Sequence, residues 1–215
     1  MWALVLATAY AGMHGPFESE APLEEEVATT ACADQYPYAL AQLPDRPSLY
    51  RRWDPRRSWA TPEFVELIIE ATAQVALDYP DSDPVMVGDI SLEKGGPLAP
   101  HRYHYDGRSA DLGLFVAGRQ PQHGFMPISP AELDVERQWV LIEAFLATGR
   151  VEHILLDQSH VDRLVGWLRE TGRLSEAEIA RVFPPADTDR LWARTGIVRT
   201  AARHRDHMHV RLRCQ

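Results

Sequence analysis

The chain has 215 residues, of which 45% are hydrophobic and 25% charged, a composition that can fill the core of one globular domain. Its formal net charge of −9 argues against nucleic acid or an anionic membrane surface as the main partner. The apolar run at the N-terminus is too short to span a membrane, and no other stretch is long and apolar enough to do so.

The N-terminus bears on the cellular compartment. Residues 1–11 are apolar and end in the tripeptide AYA, which has the small-x-small form of a signal-peptide cleavage site, but no lysine or arginine precedes them. They are either the remnant of a secretory signal or an ordinary apolar N-terminus. Cys32 and Cys214 would close a very long loop if they were bridged after export, and two unpaired thiols are the alternative.

The first half of the chain is predicted to pass from an irregular arm into regular structure. Residues 12–52 are rich in proline, alanine and acidic residues and show no periodicity, so we expect an arm that precedes a domain over 53–215. The sequence TPE at 61–63 supplies a cap, a first-turn proline and an acidic residue, which predicts a helix that ends near residue 78. Buried strands are predicted over 85–91 and 109–116.

The second half is predicted to alternate helices with strands. The motifs SPAE (129–132), SHVD (159–162) and SEAE (175–178) each indicate a helix start. Strands are predicted over the following three ranges: 151–156, 197–198 and 207–214. The fold class is therefore α+β, with helices packed on a small, mostly antiparallel sheet.

Histidines are concentrated in two segments of the sequence. Five of the nine lie within 101–113 (HRYHYDGRSADLG) and 204–210 (HRDHMHV). Glycines free the loop of the first segment, and an aspartate follows in a flanking strand, a combination that favours a metal site assembled from two strands. The remaining four histidines lack such neighbours and are predicted to be surface or core residues: His14, His123, His153 and His160.

The two segments together offer the ligands of a catalytic zinc ion on the face of the sheet. Such an ion takes three protein ligands and keeps a position for water, and His104, Asp111 and His209 can supply two nitrogens and one oxygen. His207 emerges on the same strand face as His209, so one histidine can bind the metal while the other transfers a proton. We expect a hydrolytic centre in which Zn²⁺ activates water and polarises a scissile carbonyl.

These residues also match a known pattern. The segment HYDGRSAD, from His104 to Asp111, resembles the HxxGxAxD motif of the LAS metallopeptidases. Within that group the chain is similar to the penicillin-insensitive murein endopeptidases, in VGDIS (87–91), the glycine turn at 95–96, the segment 101–113 and the ending HMHVRLRC (207–214).

The resemblance implies a periplasmic zinc endopeptidase that hydrolyses D-alanyl–meso-diaminopimelyl crosslinks between the stem peptides of peptidoglycan. By matching position, the zinc ligands are His104, Asp111 and His209, and His207 is the base or the group that stabilises the transition state. His204 and His101 are further site histidines, His204 grouped with the catalytic residues and His101 with the metal ligands. The resemblance implies neither a nucleic-acid partner nor a membrane span.

Two other functions are compatible with a zinc site of this kind. A D,D-carboxypeptidase or dipeptidase of the same group would carry a Glu-x-x-His pair, whereas this chain has an aspartate three residues before His209 and His207 two before it. A non-catalytic murein-binding module stabilised by zinc would not need His204 or His207. The HxH pair therefore favours the endopeptidase.

Overall fold

The computed structural model describes residues 39–101, 103–118, 125–185 and 196–214. The helices and strands in these ranges, in chain order, are β1 Ala41–Gln42, β2 Tyr50–Arg52, β3 Trp59–Ala60, α1 Pro62–Asp78, β4 Val85–Val87, β5 Ser109–Gly113, α2 Val135–Ala147, β6 Val151–Leu156, α3 Gln158–Thr171, α4 Glu176–Val182, β7 Ile197–Thr200 and β8 His207–Leu212. They confirm the α+β class. Among the described residues, none of the helices has both the length and the apolar character of a membrane span.

A mixed sheet of six strands organises the domain. Its strand order is β2-β4-β5-β8-β6-β7, and the three central pairings are antiparallel while the pairing at each edge is parallel. Strands β1 and β3 form a separate antiparallel pair. The end of the predicted arm enters this architecture, since residues 41–42 and 50–52 are strands.

The core lies on one face of the sheet, beneath the helices. Met208, Val210 and Leu212 of β8 are buried there, and Ala110 and Leu112 of β5 lie beside them. Side chains alternate between the two faces of a strand, so the intervening residues of β5 and β8 point to the opposite face. The predicted alternation along β8 is thereby confirmed.

Several predicted boundaries are wrong in detail. The strand expected over 85–91 ends at Val87, and the one expected over 109–116 ends at Gly113. The SPAE capping box is present, but it caps the 3-10 turn Pro130–Glu132, and α2 begins later with Asp134 as its cap. Side-chain oxygens bind whichever nearby amides are free, so such a box marks a turn as readily as a long helix.

Helix starts differ in the same way elsewhere. Helix α3 is capped by Asp157, whose carboxylate accepts from the amide of Ser159, rather than by Ser159 itself. Thr61 occupies the cap position of α1, but its side chain makes no capping hydrogen bond. The third predicted box is confirmed, because Ser175 and Glu178 cap α4 reciprocally.

Candidate functional site

Strands β5 and β8 carry the site. They pair antiparallel, with Asp111 directly opposite His209 and Gly113 opposite His207. Residues that face each other across a sheet present their side chains on the same face, so Asp111 and His209 meet although they are 98 positions apart. Both are buried.

His104, Asp111 and His209 form a compact triangle. His209 Nδ1 lies 2.9 Å from Asp111 Oδ1, and His104 Nε2 lies 3.2 Å from each of these two atoms. Donor atoms around a tetrahedral zinc ion, bound at about 2.0–2.1 Å, are separated by about 3.3 Å. The triangle therefore has the dimensions of one face of a zinc coordination tetrahedron.

A backbone carbonyl orients His104 toward the triangle. Its Nδ1 lies 3.2 Å from the carbonyl oxygen of Ile90, and its Nε2 faces Asp111 Oδ1. When Nδ1 of a neutral ring donates to the carbonyl, Nε2 has the lone pair that a metal ligand needs. A backbone partner of this kind is what usually orients a metal-binding histidine.

Burial and hydrogen bonding also set the charges of the triangle. Burial lowers the pKa of His209 to about 4, although its hydrogen bond to Asp111 opposes the shift, so the imidazole is neutral near neutral pH. Burial alone would raise the pKa of Asp111, but hydrogen bonds from His104 and His209 outweigh it and hold that pKa well below its usual range. Neutral imidazoles and a carboxylate are the forms that bind zinc.

His207 borders the triangle and has a carboxylate of its own. Its Nδ1 donates to Asp206 Oδ1 over 2.6 Å, and its Nε2 lies 3.7 Å from Asp111 Oδ1. The hydrogen bond to Asp206 keeps the proton on Nδ1 and leaves Nε2 free to accept one on the side of the triangle. Sequence reasoning missed Asp206; its position directly before His207 was the available signal.

His204 lies behind His207. The centroids of the two rings are 4.8 Å apart, and Nδ1 of His204 donates to the carbonyl oxygen of Ala202 over 2.8 Å. Burial lowers the pKa of His204, so this ring is neutral and presents Nε2 as an acceptor. Arg203, between these residues, has a φ of 66°, a strained conformation for a residue with a side chain.

His101 stands on the opposite flank. His101, His104 and Asp111 form a group whose ligand atoms all lie within 4.8 Å of one another and could hold a metal ion. His101 Nδ1 is 3.8 Å from Asp111 Oδ2, a wider separation than any edge of the triangle. The structure thus brings together all six predicted site residues, with His101 and His207 on either side of the three closest.

Aromatic side chains line the approach to these histidines. The ring of Phe125 meets that of His207 edge-on, with centroids 5.8 Å apart, and Trp53 packs against Phe125 at 6.2 Å. A Cβ atom on Gly88 would lie 2.5 Å from the Phe125 ring, so a larger residue here would have to displace this ring. Trp53 is 55% exposed and Tyr103 is 49% exposed.

Comparison with known proteins assigns the chain to a family. The family model for penicillin-insensitive murein endopeptidases matches residues 38–215. The chain belongs to this family. Proteins named penicillin-insensitive murein endopeptidase from two strains of Klebsiella pneumoniae, MGH 78578 and 342, are each 27% identical to it over 176 residues. The alignment covers 76% of this chain, which spans 57% of the length of each relative.

The remaining histidines of this family member agree with the sequence prediction where they are described. His153 and His160 are buried, and His160 donates from Nε2 to the carbonyl oxygen of Arg205 over 3.2 Å. His153 stacks near His209, with ring centroids 6.4 Å apart, which the sequence did not indicate. His14 and His123 lie outside the described residues, as do residues 1–11 and Cys32; Cys214 is disulfide-bonded.

Proposed function

We propose that the protein is a zinc-dependent murein endopeptidase that hydrolyses D-alanyl–meso-diaminopimelyl crosslinks of peptidoglycan in the periplasm. The observation that carries this is the triangle of His104, Asp111 and His209, with edges of 2.9–3.2 Å, beside a histidine held by a carboxylate. Family membership supports peptide hydrolysis of murein, and the donor set supports zinc, because imidazole nitrogens and a carboxylate oxygen are its usual ligands.

In this proposal, three side chains bind the metal, His207 transfers the proton and Asp206 stabilises the charged form of His207. His104 Nε2, Asp111 Oδ1 and His209 Nδ1 are the ligands. A zinc ion bound there would lower the pKa of a water molecule to about 7 and polarise the carbonyl of the scissile peptide. His207 is the base: its free Nε2 faces the site and accepts a proton from the attacking water.

Asp206 then stabilises the imidazolium that His207 becomes. A carboxylate 2.6 Å from Nδ1 favours the charged ring, and the proton on Nε2 can pass to the leaving amine. The neutral ring of His204, packed against His207, adds an acceptor for a substrate N–H or for the water. No serine or cysteine nucleophile is needed in this scheme.

Crosslinked muropeptide dimers test the proposal. The protein is incubated with purified dimers, with zinc or with a chelator, and the products are identified by mass. We expect monomers with zinc and intact dimers with chelator. Release of free D-alanine instead would indicate a carboxypeptidase, and intact dimers under both conditions would contradict hydrolysis.

A ligand variant and a matched control sharpen this test. His209→Ala removes one donor of the triangle and should abolish both bound zinc and activity. Arg46→Ala is the control, because this residue is exposed and lies outside the site. Full activity of zinc-free His209→Ala protein would refute the ligand assignment.

A further inference from the structure

The Asp206–His207 pair has a counterpart across the metal triangle. His101 Nε2 lies 3.0 Å from Asp89 Oδ2, and His101 Nδ1 faces Asp111 Oδ2 at 3.8 Å. Two histidines therefore flank the triangle, each with one ring nitrogen on a carboxylate and the other facing Asp111. Asp89 was not among the predicted site residues.

Two backbone hydrogen bonds hold Asp89 beside strand β5. Asp111 N–H donates to the carbonyl oxygen of Asp89 over 3.0 Å, and Gly88 N–H donates to the carbonyl oxygen of Asp111 over 2.7 Å. These two bonds tie residues 88–89 to strand β5 beside the ligand Asp111. The Asp89 side chain is 9% exposed, so it cannot exchange its partners freely for water.

Arg57 determines how Asp89 presents its oxygen. Arg57 Nη1 donates to Asp89 Oδ2 over 2.7 Å, the same oxygen that faces His101. An arginine is always a donor, so this contact keeps an acceptor at that position. Nε2 of His101 therefore faces an acceptor and is the nitrogen placed to donate, while Nδ1 faces the triangle.

We propose that Asp89, held by Arg57, is a positioning residue that keeps Nδ1 of His101 as a hydrogen-bond acceptor on the substrate side of the site. Between His101 Nδ1 and Asp111 Oδ2, two acceptors 3.8 Å apart leave room for a donor, and the backbone N–H of a bound peptide supplies one. The proposal rests on the proposed peptidase function, since it assigns His101 to peptide binding.

Alanine and asparagine variants of Asp89 separate positioning from charge. Asp89→Ala removes the acceptor and should lower kcat/KM on muropeptide dimers about 10- to 100-fold, the usual effect of losing a group that orients a site residue. Asp89→Asn should recover most of this loss, because Arg57 holds the amide oxygen against His101. Zinc content should stay that of the wild type in both variants, and Asp45→Ala, at a side chain 73% exposed, is the control.

A double variant tests whether Asp89 acts through His101. In a His101→Ala background, Asp89→Ala should cause little further loss of kcat/KM, because the group it positions is gone. Equal losses for the alanine and asparagine variants, additive losses in the double variant, or loss of zinc from Asp89→Ala would each overturn the proposal.

Nuclear magnetic resonance of the ring nitrogens gives a readout that needs no activity. At about pH 8, wild-type His101 should show a protonated Nε2, which faces Asp89, and an unprotonated Nδ1. Asp89→Ala should mix the two tautomers, and Asp89→Asn should keep the wild-type one. A wild-type His101 protonated on Nδ1 would refute the positioning, whereas inactivity of all proteins on dimers would refute only the peptidase function.

Discussion

Replacement of Asp106 by asparagine should destabilise the fold strongly. Asp106 is fully buried behind the site, where its carboxylate accepts hydrogen bonds from the guanidinium groups of Arg108 and Arg211 at 2.9–3.1 Å. Both arginines are themselves buried, at 7% and 6% exposure, so the variant replaces their shared buried carboxylate by a neutral group and leaves Arg211 with Glu152, 3.4 Å from its Nε.

The expected loss follows from this burial. Removing one partner of a buried ion pair costs about 3–5 kcal/mol, and a domain of this size loses about 2–4 °C of Tm per kcal/mol. We therefore expect the unfolding free energy to fall by about 3 kcal/mol or more and Tm by roughly 6–20 °C. The variant should also loosen β8, because Arg211 lies two residues after His209.

Thermal and urea unfolding, followed by circular dichroism in the presence of a chelator, measure this loss without a contribution from metal binding. Asp45→Asn serves as the control, since its side chain is 73% exposed and should change stability by less than about 0.5 kcal/mol. An Asp106→Asn protein within about 1 kcal/mol of the wild type would refute the reasoning, because it would mean that Glu152 or water compensates the charge of the two arginines.

The same carboxylate predicts a dependence of stability on pH. Burial raises the pKa of Asp106, but Arg211 and Arg108 outweigh this and the net pKa lies below its usual range. A carboxyl group with a lowered folded-state pKa stabilises the fold above its unfolded-state pKa of about 3.9 and loses that contribution as the pH falls towards the folded-state value. Asp106→Asn should remove this acid-dependent part of the unfolding curve.

Three further predictions concern the site and the loop beside it. His207→Ala should retain bound zinc and lose most of the rate, and wild-type turnover would exclude it as the base. Gly88→Ala should displace the Phe125 ring, which its Cβ would approach to 2.5 Å, and should raise KM without loss of zinc; an unchanged KM would show that the ring moves freely. Burial lowers the pKa of His160, so the wild type loses stability as the pH falls through about 6.5. His160→Phe should lack this loss, so its unfolding free energy in urea should change less than that of the wild type between neutral and mildly acidic pH. An equal pH dependence in both proteins would refute this.

Local patterns in the sequence predict the helices, the strands and their buried faces. Alternation along β8 and the helical period of α1 determine which face is buried, because burial follows from side-chain spacing alone. The pairing of β5 with β8 across about a hundred residues is not a local property, and it was reached through two segments rich in histidine. Strand ends and the caps of α2 and α3 were missed because several nearby polar side chains compete for the same amides.

The site likewise contains residues that the sequence predicts and residues that only the structure reveals. His104, Asp111, His207 and His209 could be proposed from residue type and spacing, since metal ligands and bases need particular side chains. The carboxylates beside His101 and His207 could not, because Asp89 and Asp206 are ordinary acidic residues until the fold places them 3.0 and 2.6 Å from a ring nitrogen of these two histidines. Only the three-dimensional contact distinguishes them from solvated aspartates.

The position of β8 inside the sheet bears on when the metal-binding triangle can form during folding. Strand β8 lies between β5 and β6, so the sheet has no continuous interior until this late segment has been made and inserted. Contacts this distant in sequence form slowly. The triangle of His104, Asp111 and His209 therefore cannot assemble before β8 has joined the sheet.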